Sequence, residues 1–344
     1  MSIESDANVQ PPFVGVVCFG EAMIRLTPVR NERLERALNL DLTVGGAELN
    51  TAVTLACLNV RATWISRLPR TSLGRMIERQ ARASRVDTRH ITWVNEADGR
   101  AGLYFLEEGV DPRPSAVTYD RAGSAIANIK PGEIDWHSLL SSATALHISG
   151  ITPALSDGCR AETMAAFDAA NQLGVPIFFD LNYRSKLWSE DAARRCFLEL
   201  APKVDVLLAS RGGLRTFFGI EGGHEQVMTE ARQRLGVAAI ALTRKKTSGS
   251  RGLKLRGLGM GKSGELAITP WREIEIVDRL GGGDAFAGGF IAGYLEDSHD
   301  LSKAISLGLA ASALKHTMPG DFLSATRDEI EGAVSTADEG VLQR

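Results

Sequence analysis

Residues 277–295 read VDRLGGGDAFAGGFIAGYL. Three glycines run directly into Asp284, which opens a stretch of small and apolar residues. Glycines ahead of a helix let backbone N–H groups turn toward one point without side-chain obstruction, and the helix dipole adds positive potential there. Such a nest stabilises an anion, most naturally a phosphoryl group in transfer. The same field is expected to favour the ionised form of Asp284. A carboxylate able to accept a hydroxyl proton would then stand beside a phosphate cradle. A plain helix cap with glycines easing the packing would give the same letters, so the rest of the chain has to decide.

At 344 residues the chain can form one large α/β domain or two modest ones. Its 44% hydrophobic and 24% charged content is ordinary for a globular protein. A formal net charge of −3 argues against nucleic-acid or anionic-membrane partners, which demand a basic excess. The first twelve residues, MSIESDANVQPP, form a polar tail without the apolar core of a signal peptide. No apolar run approaches the ~18 residues of a membrane span. Cys18, Cys57, Cys159 and Cys196 form no CxxC pair, and three of them lie in apolar runs, as buried thiols of a reducing compartment do. A cytoplasmic location is expected.

Working outward, FVGVVCFG (13–20) predicts a buried strand and GGAELNTAVTLACLN (45–59) a small-residue helix. ATWISRL reads as one strand and LGRMIERQARAS as an amphipathic helix. Residues 89–122 alternate apolar and polar positions, the pattern of half-exposed strands. After residue 130 strands and helices alternate regularly: strands at TALHISG, VPIFFDLN, KVDVLLAS and VAAIALT, helices at about 157–173, 189–200 and 224–235. Two more helices follow, at about 284–296 and 302–315. That order argues for a parallel sheet covered on both faces. KKTSGSRGLKLRGLGMGKSG (245–264) reads as a mobile hairpin; its GLGMGKS is one residue short of a Walker A loop. No GxGxxG follows the first strand, so a dinucleotide-dependent oxidoreductase is disfavoured.

Three further segments carry polar groups suited to a ligand. In GGAELN, glycines let a ligand approach the backbone and Asn50 offers both donor and acceptor. FFDLNYRSKLW (178–188) leaves a strand and presents Asp180, Asn182, Tyr183 and Arg184 at its carboxyl end, where open α/β sheets bind ligands. Tyr104, Tyr119 and Arg121 fall in the half-exposed strands. Each segment also has a plain structural reading as turn, surface ion pair or packed aromatic.

Together these segments resemble the ribokinase/PfkB family of carbohydrate kinases. GGAELN is similar to its first signature, and VDRLGGGDAFAGGF to its second, D-x-x-G-A-G-D-x-F. GEAMIRLTP, RPSAVTYDRAGSAI, LHISGITPALS, DLNYRSKLW and ALKHTMPGDF resemble the branch of 2-keto-3-deoxygluconate kinases. The resemblance implies a ribokinase-like three-layer α/β sandwich over residues 13–335, with a mostly parallel central sheet and a small β-sheet lid from about 21–44 and 89–122. It implies ATP-dependent phosphorylation, with Asp284 as general base and the amides of Gly281, Gly282 and Gly283 as anion hole. The acceptor pocket would draw on Gly45, Gly46, Asn50, Tyr104, Tyr119, Arg121, Asn182, Arg184 and Asp321. Ser210, Thr243, Arg244, Gly281 and Gly283 would meet the nucleotide. ATP and Mg2+ are the implied cofactors; some members also bind a monovalent cation beside the anion hole, and many dimerise through the lid. Two arginines suit a carboxylated substrate, since each charged hydrogen bond contributes about 1.5–3 kcal/mol.

Three departures stand out. Gly282 replaces the usual alanine of the anion hole. SRGG (210–213) stands where an N-x-x-E segment helps organise magnesium. ALTRKKTSGSRG departs from the usual T-x-G-x-x-G nucleotide loop. A kinase for neutral sugars, resembling fructokinase or ribokinase, and a non-catalytic sugar-acid binding protein are the alternatives these departures leave open.

Overall fold

The computed structural model describes residues 15–249 and 251–335; the polar tail expected at 1–12 lies outside them. Six strands form the parallel part of the main sheet: β1 (Val16–Phe19), β4 (Ala62–Ile65), β9 (Ala145–Ser149), β10 (Ile177–Asp180), β11 (Val206–Ala209) and β12 (Ala239–Ser248). β13 (Gly252–Met260) adds to β12 antiparallel, and β14 (Leu266–Ile268) and β15 (Arg272–Glu275) both pair with β13. A separate sheet has the order β3 (Leu40–Gly45), β2 (Met23–Pro28), β7 (Gly102–Glu107), β8 (Ala116–Asp120). ATWISRL is two strands rather than one: β4 stays in the main sheet, while β5 (Arg67–Pro69) leaves it to pair with β6 (Thr92–Val94). The small sheet therefore takes only two strands from the 89–122 region.

Strand side chains alternate between faces, and both faces are covered. On one side Cys18, Phe178, Val206 and Ala239 pack under α1 (Ala47–Cys57), α2 (Ser72–Ala83), α8 (Gly282–Glu296) and α9 (Leu301–His316). On the other, Phe19, Ile177, Phe179 and Leu207 pack under α3 (Trp136–Leu140), α4 (Asp157–Leu173), α5 (Glu190–Leu200), α6 (Arg211–Phe218) and α7 (His224–Leu235). α10 (Arg327–Ser335) closes the described chain against α9. The result is a three-layer sandwich with a small second sheet. All four cysteines are buried and free. Among the described residues no helix is long and apolar enough to cross a membrane.

The stretch 245–264 forms the β12–β13 hairpin, and two of its glycines answer to packing. A Cβ on Gly257 or Gly259 would lie 2.5 or 2.7 Å from Ile305, so α9 can rest on β13 only because both lack side chains. α8 is squeezed in the same way. A Cβ on Gly288 would stand 2.6 Å from Thr54 of α1, and one on Gly289 would stand 2.7 Å from the Leu307 carbonyl of α9. This contact fixes where the first turn of α8 sits.

Glu48 of α1 is wholly buried, and its Oε1 accepts from the Ser149 amide at 2.9 Å and from the hydroxyls of Ser149 and Thr152 at 2.8 Å each. Its Oε2 finds no partner among the described residues. Burial pushes this carboxyl up to about 7 from its ordinary 4.5. A carboxyl shifted upward on folding stabilises the fold while protonated. Its contribution is complete below about pH 4.5 and is lost as pH rises through about 7.

Two outcomes are expected. Gly289→Val should lower unfolding free energy in urea by about 1–3 kcal/mol, because backbone rather than a movable side chain blocks the new methyls. Glu48→Gln removes the titration, so the stability of variant relative to wild type should grow between pH 5 and 8, by up to about 3 kcal/mol. A difference that stays constant over that range would contradict the account of Glu48.

Candidate active site

The chain leaves β3 through Gly45 and Gly46 and enters α1. A Cβ on Gly46 would lie 2.0 Å from the Glu21 carbonyl oxygen, and one on Gly45 2.3 Å from Asp321 Oδ2. That closeness aims the first turn of α1 at the first turn of α8. Asn50 Oδ1 accepts from the Gly46 amide (3.3 Å), and its Nδ2 donates to Asp284 Oδ2 (2.7 Å). Asp284 thereby stands at a cavity roofed by the small sheet. Tyr104 and Tyr119 are cross-strand partners on that roof, their rings 6.0 Å apart. Arg121, Arg184, Gly281 and Asp321 complete the lining.

Several of these side chains are already engaged. The buried Tyr104 hydroxyl donates to Asp321 Oδ2 (2.7 Å). Arg121 forms an ion pair with the buried carboxylate of Glu21 and lies 5.5 Å from the Tyr119 ring. Thus Arg121 and Arg184 are not equivalent charges. Arg121 is compensated, although its buried Nε has no partner, whereas Arg184 is exposed and forms no ion pair among the described residues. Sequence reading also passed over Arg25. It is buried on β2 and donates from Nη1 to Asp278 Oδ2 (2.6 Å) and Asp321 Oδ1 (3.0 Å). The only signal was a lone arginine in the apolar run MIRLTP.

A second, roomier cavity, about 360 Å³ against about 70 Å³ for the first, opens on the other side of the same helix turn. Gly283, Asp180, Asn182, Ser210 and Thr243 line it. Asn182, expected at the acceptor, lines this cavity instead; its left-handed backbone (φ 29°) and the hydrogen bond its backbone N–H donates to Asp180 Oδ1 (3.1 Å) curl it back over β10. SRGG is no loop but the start of α6: Ser210 Oγ caps it by accepting from the Gly213 amide at 3.0 Å. Arg211 donates to the Gly222 carbonyl. Arg244, expected beside the phosphates, turns the other way. Strand alternation sends it with Lys246 and Arg256 onto Trp271, while Lys245 faces Asp284, Asp180 and Arg184.

The electrostatics correct one expectation. The helix field does not leave Asp284 below its usual range; burial raises its pKa, opposed by the Asn50 hydrogen bond and by Arg184. Asp180 is pushed up to about 7 by burial and then by Asp284. Gly282 also has a cause. A Cβ there would stand 2.1 Å from Cε1 of His316, whose Nδ1 donates to the Ser312 carbonyl at 2.6 Å while Ser312 Oγ donates to the Gly282 carbonyl at 2.7 Å. Burial lowers His316 to about 4, so the ring packs there uncharged. Among the described residues no three His, Cys, Asp or Glu side chains are grouped to hold a metal ion.

Residues 15–326 match the pfkB family carbohydrate kinase profile. A 2-dehydro-3-deoxygalactonokinase from Haloferax volcanii is 36% identical, covering 95% of this chain and 98% of its own. A 2-dehydro-3-deoxygluconokinase from Thermoproteus tenax is 31% identical over 90% of each chain. The crystal structure of a 2-dehydro-3-deoxygluconokinase from Thermotoga maritima superposes with a TM-score of 0.90 at 34% identity, covering 94% of this chain and 99% of its own. A Vibrio cholerae fructokinase variant bound to fructose, ADP and potassium ion shares the fold, with a TM-score of 0.72 at 21% identity. The chain belongs to the pfkB family of carbohydrate kinases.

Proposed function

We propose that the protein phosphorylates a hydroxyl of a 2-keto-3-deoxy sugar acid, 2-keto-3-deoxygluconate or its galacto epimer, at the expense of ATP. The observation that carries this reading is that the first turn of α8 is the shared wall of both cavities. Gly281 and Asp284 border the small one and Gly283 the large one. An acceptor hydroxyl in the first and a terminal phosphate in the second would meet across that turn. The relatives named for both epimers support the class of substrate without choosing between them.

The chemistry then follows from the residues. Asp284 Oδ2 is held by Asn50, which orients the carboxylate toward the acceptor. It takes the hydroxyl proton as the oxygen attacks the γ-phosphorus, and the bond to the β-phosphate bridging oxygen breaks to release ADP. The opening amides of α8 have no carbonyl partners within the helix and stabilise the charge on the transferring group. Thr243 and the α6 amides near Gly212 and Gly213 face the nucleotide. Mg2+ would be held chiefly by phosphates and water, with Asp180 and Glu190, the carboxylates lining the large cavity, as the protein groups nearest to hand. When bound it neutralises phosphate charge.

The substrate carboxylate is met by Arg184, with Arg121 and Tyr119 beside it in the lining. Exposed Leu38, Leu42 and Val110 on or beside the small sheet support pairing of two chains through their lids.

A coupled ATP-consumption assay over sugar acids and neutral sugars tests the reading. Asp284→Asn should lose ~10²–10⁴ in turnover while still binding the keto acid by calorimetry. Because burial raises Asp284, kcat/KM should fall on the acid side with a midpoint above that of an ordinary aspartate. Arg184→Met should cost about ten- to a hundredfold in kcat/KM for keto acids and little for neutral sugars. Turnover of fructose or ribose that matches the keto acids would favour the neutral-sugar kinase. Keto-acid binding without any nucleotide binding would favour a sensor.

A further inference from the structure

Lys315, in the last turn of α9, has no solvent exposure at all, a rare state for a lysine. Its Nζ donates to the Met318 carbonyl at 3.0 Å. Its Cε lies 3.2 Å from where a Cβ on Gly281 would stand, so the aliphatic stem packs on the turn that opens α8. Burial lowers its pKa, and the nearby carboxylates of Asp278 and Asp321 oppose that most strongly, with Asp284 further off. An ammonium is therefore fixed directly behind the proposed phosphate cradle, in contact with neither cavity.

The carboxylate oxygens of its two acidic neighbours each accept a hydrogen bond. Asp278 Oδ1 accepts from the Leu280 amide (3.0 Å), and Oδ2 from Arg25 (2.6 Å) and the Gly320 amide (2.9 Å). Asp321 Oδ1 accepts from Arg25 (3.0 Å) and Oδ2 from the Tyr104 hydroxyl (2.7 Å). Met318 O holds Lys315 itself. An inorganic monovalent cation behind the cradle would need several such oxygens together, and it would have to share them with these donors where the Lys315 ammonium already stands. The residues present do not fit the ion.

We propose that the Lys315 ammonium is the built-in counter-cation of the anion hole, a positioning residue whose charge holds the Gly281–Asp284 turn and lets phosphoryl transfer proceed without a potassium-type ion. This rests on the phosphotransfer reading above. A fixed, compact charge on a flexible stem does here what a bound ion would do, with no dependence on ion concentration.

The test compares KCl with tetramethylammonium chloride at equal ionic strength. Wild-type turnover and the melting temperature of the nucleotide-free protein should be the same in both salts. Lys315→Ala, which frees the Met318 carbonyl and leaves room, should lose at least tenfold in turnover in tetramethylammonium. It should recover part of that in KCl or with added propylammonium, and its melting temperature should rise with K+. Lys315→Met, which fills the space without charge, should lose activity that neither cation restores. A wild type whose turnover or melting temperature climbs saturably with K+ overturns the proposal, as does Lys315→Met turning over at the wild-type rate. Should neither variant fold, the wild-type salt comparison still decides. A wild type inactive on every sugar, yet melting alike in both salts, refutes the kinase reading and leaves the ion assignment standing.

Discussion

A carboxylate at the mouth of a helix feels two opposed forces. Removal from water disfavours its charge, whereas helix amides, a donating amide side chain and neighbouring cations favour it. At Asp284 burial is the larger, and Asn50, Arg184 and Lys245 oppose it. A carboxyl raised in this way is a stronger base, whenever it is ionised, than a solvated aspartate. The whole architecture serves that balance: α1 supplies Asn50, the β10 loop supplies Arg184, and β12 supplies Lys245.

Such a balance requires that α8 be approached closely on several sides. Side chains are absent where α1 and α9 bear on it, at Gly288, Gly289 and Gly293. The opening of the helix is constrained from below as well. Gly281 has a left-handed backbone (φ 78°) and no room for a Cβ against the Asp321 carbonyl. Gly282 lies on the uncharged ring of His316. The glycine in place of alanine is thus one half of a packed pair and follows from the histidine that ends α9.

Charge around the site is arranged in layers. Arg25 and Lys315 answer Asp278 and Asp321 in the interior, where an unpaired acid would be costly. Glu21 answers Arg121 at the roof. Arg184, beside it in the first cavity, forms no ion pair among the described residues and feels Asp284 and Asp180 only through the intervening space.

Local chemistry made much of this legible from the chain alone. Three glycines before Asp284, two before Asn50 and strands alternating with helices each specify a backbone geometry that few other sequences satisfy, so the three-layer fold and the two glycine turns could be read directly. The partners of buried charges could not. Arg25 and Asp321 are 296 positions apart, Asn50 and Asp284 are 234 apart, and no local pattern records such pairings. Strand alternation alone likewise could not say which of Arg244 and Lys245 faces the site, since that depends on how β12 is set against its neighbours. Whether a charged residue is a ligand contact, a capped turn or a counter-ion is decided by what the folded chain brings opposite it, because electrostatic energy depends on distance in space and on exclusion of water, and only tertiary structure sets either.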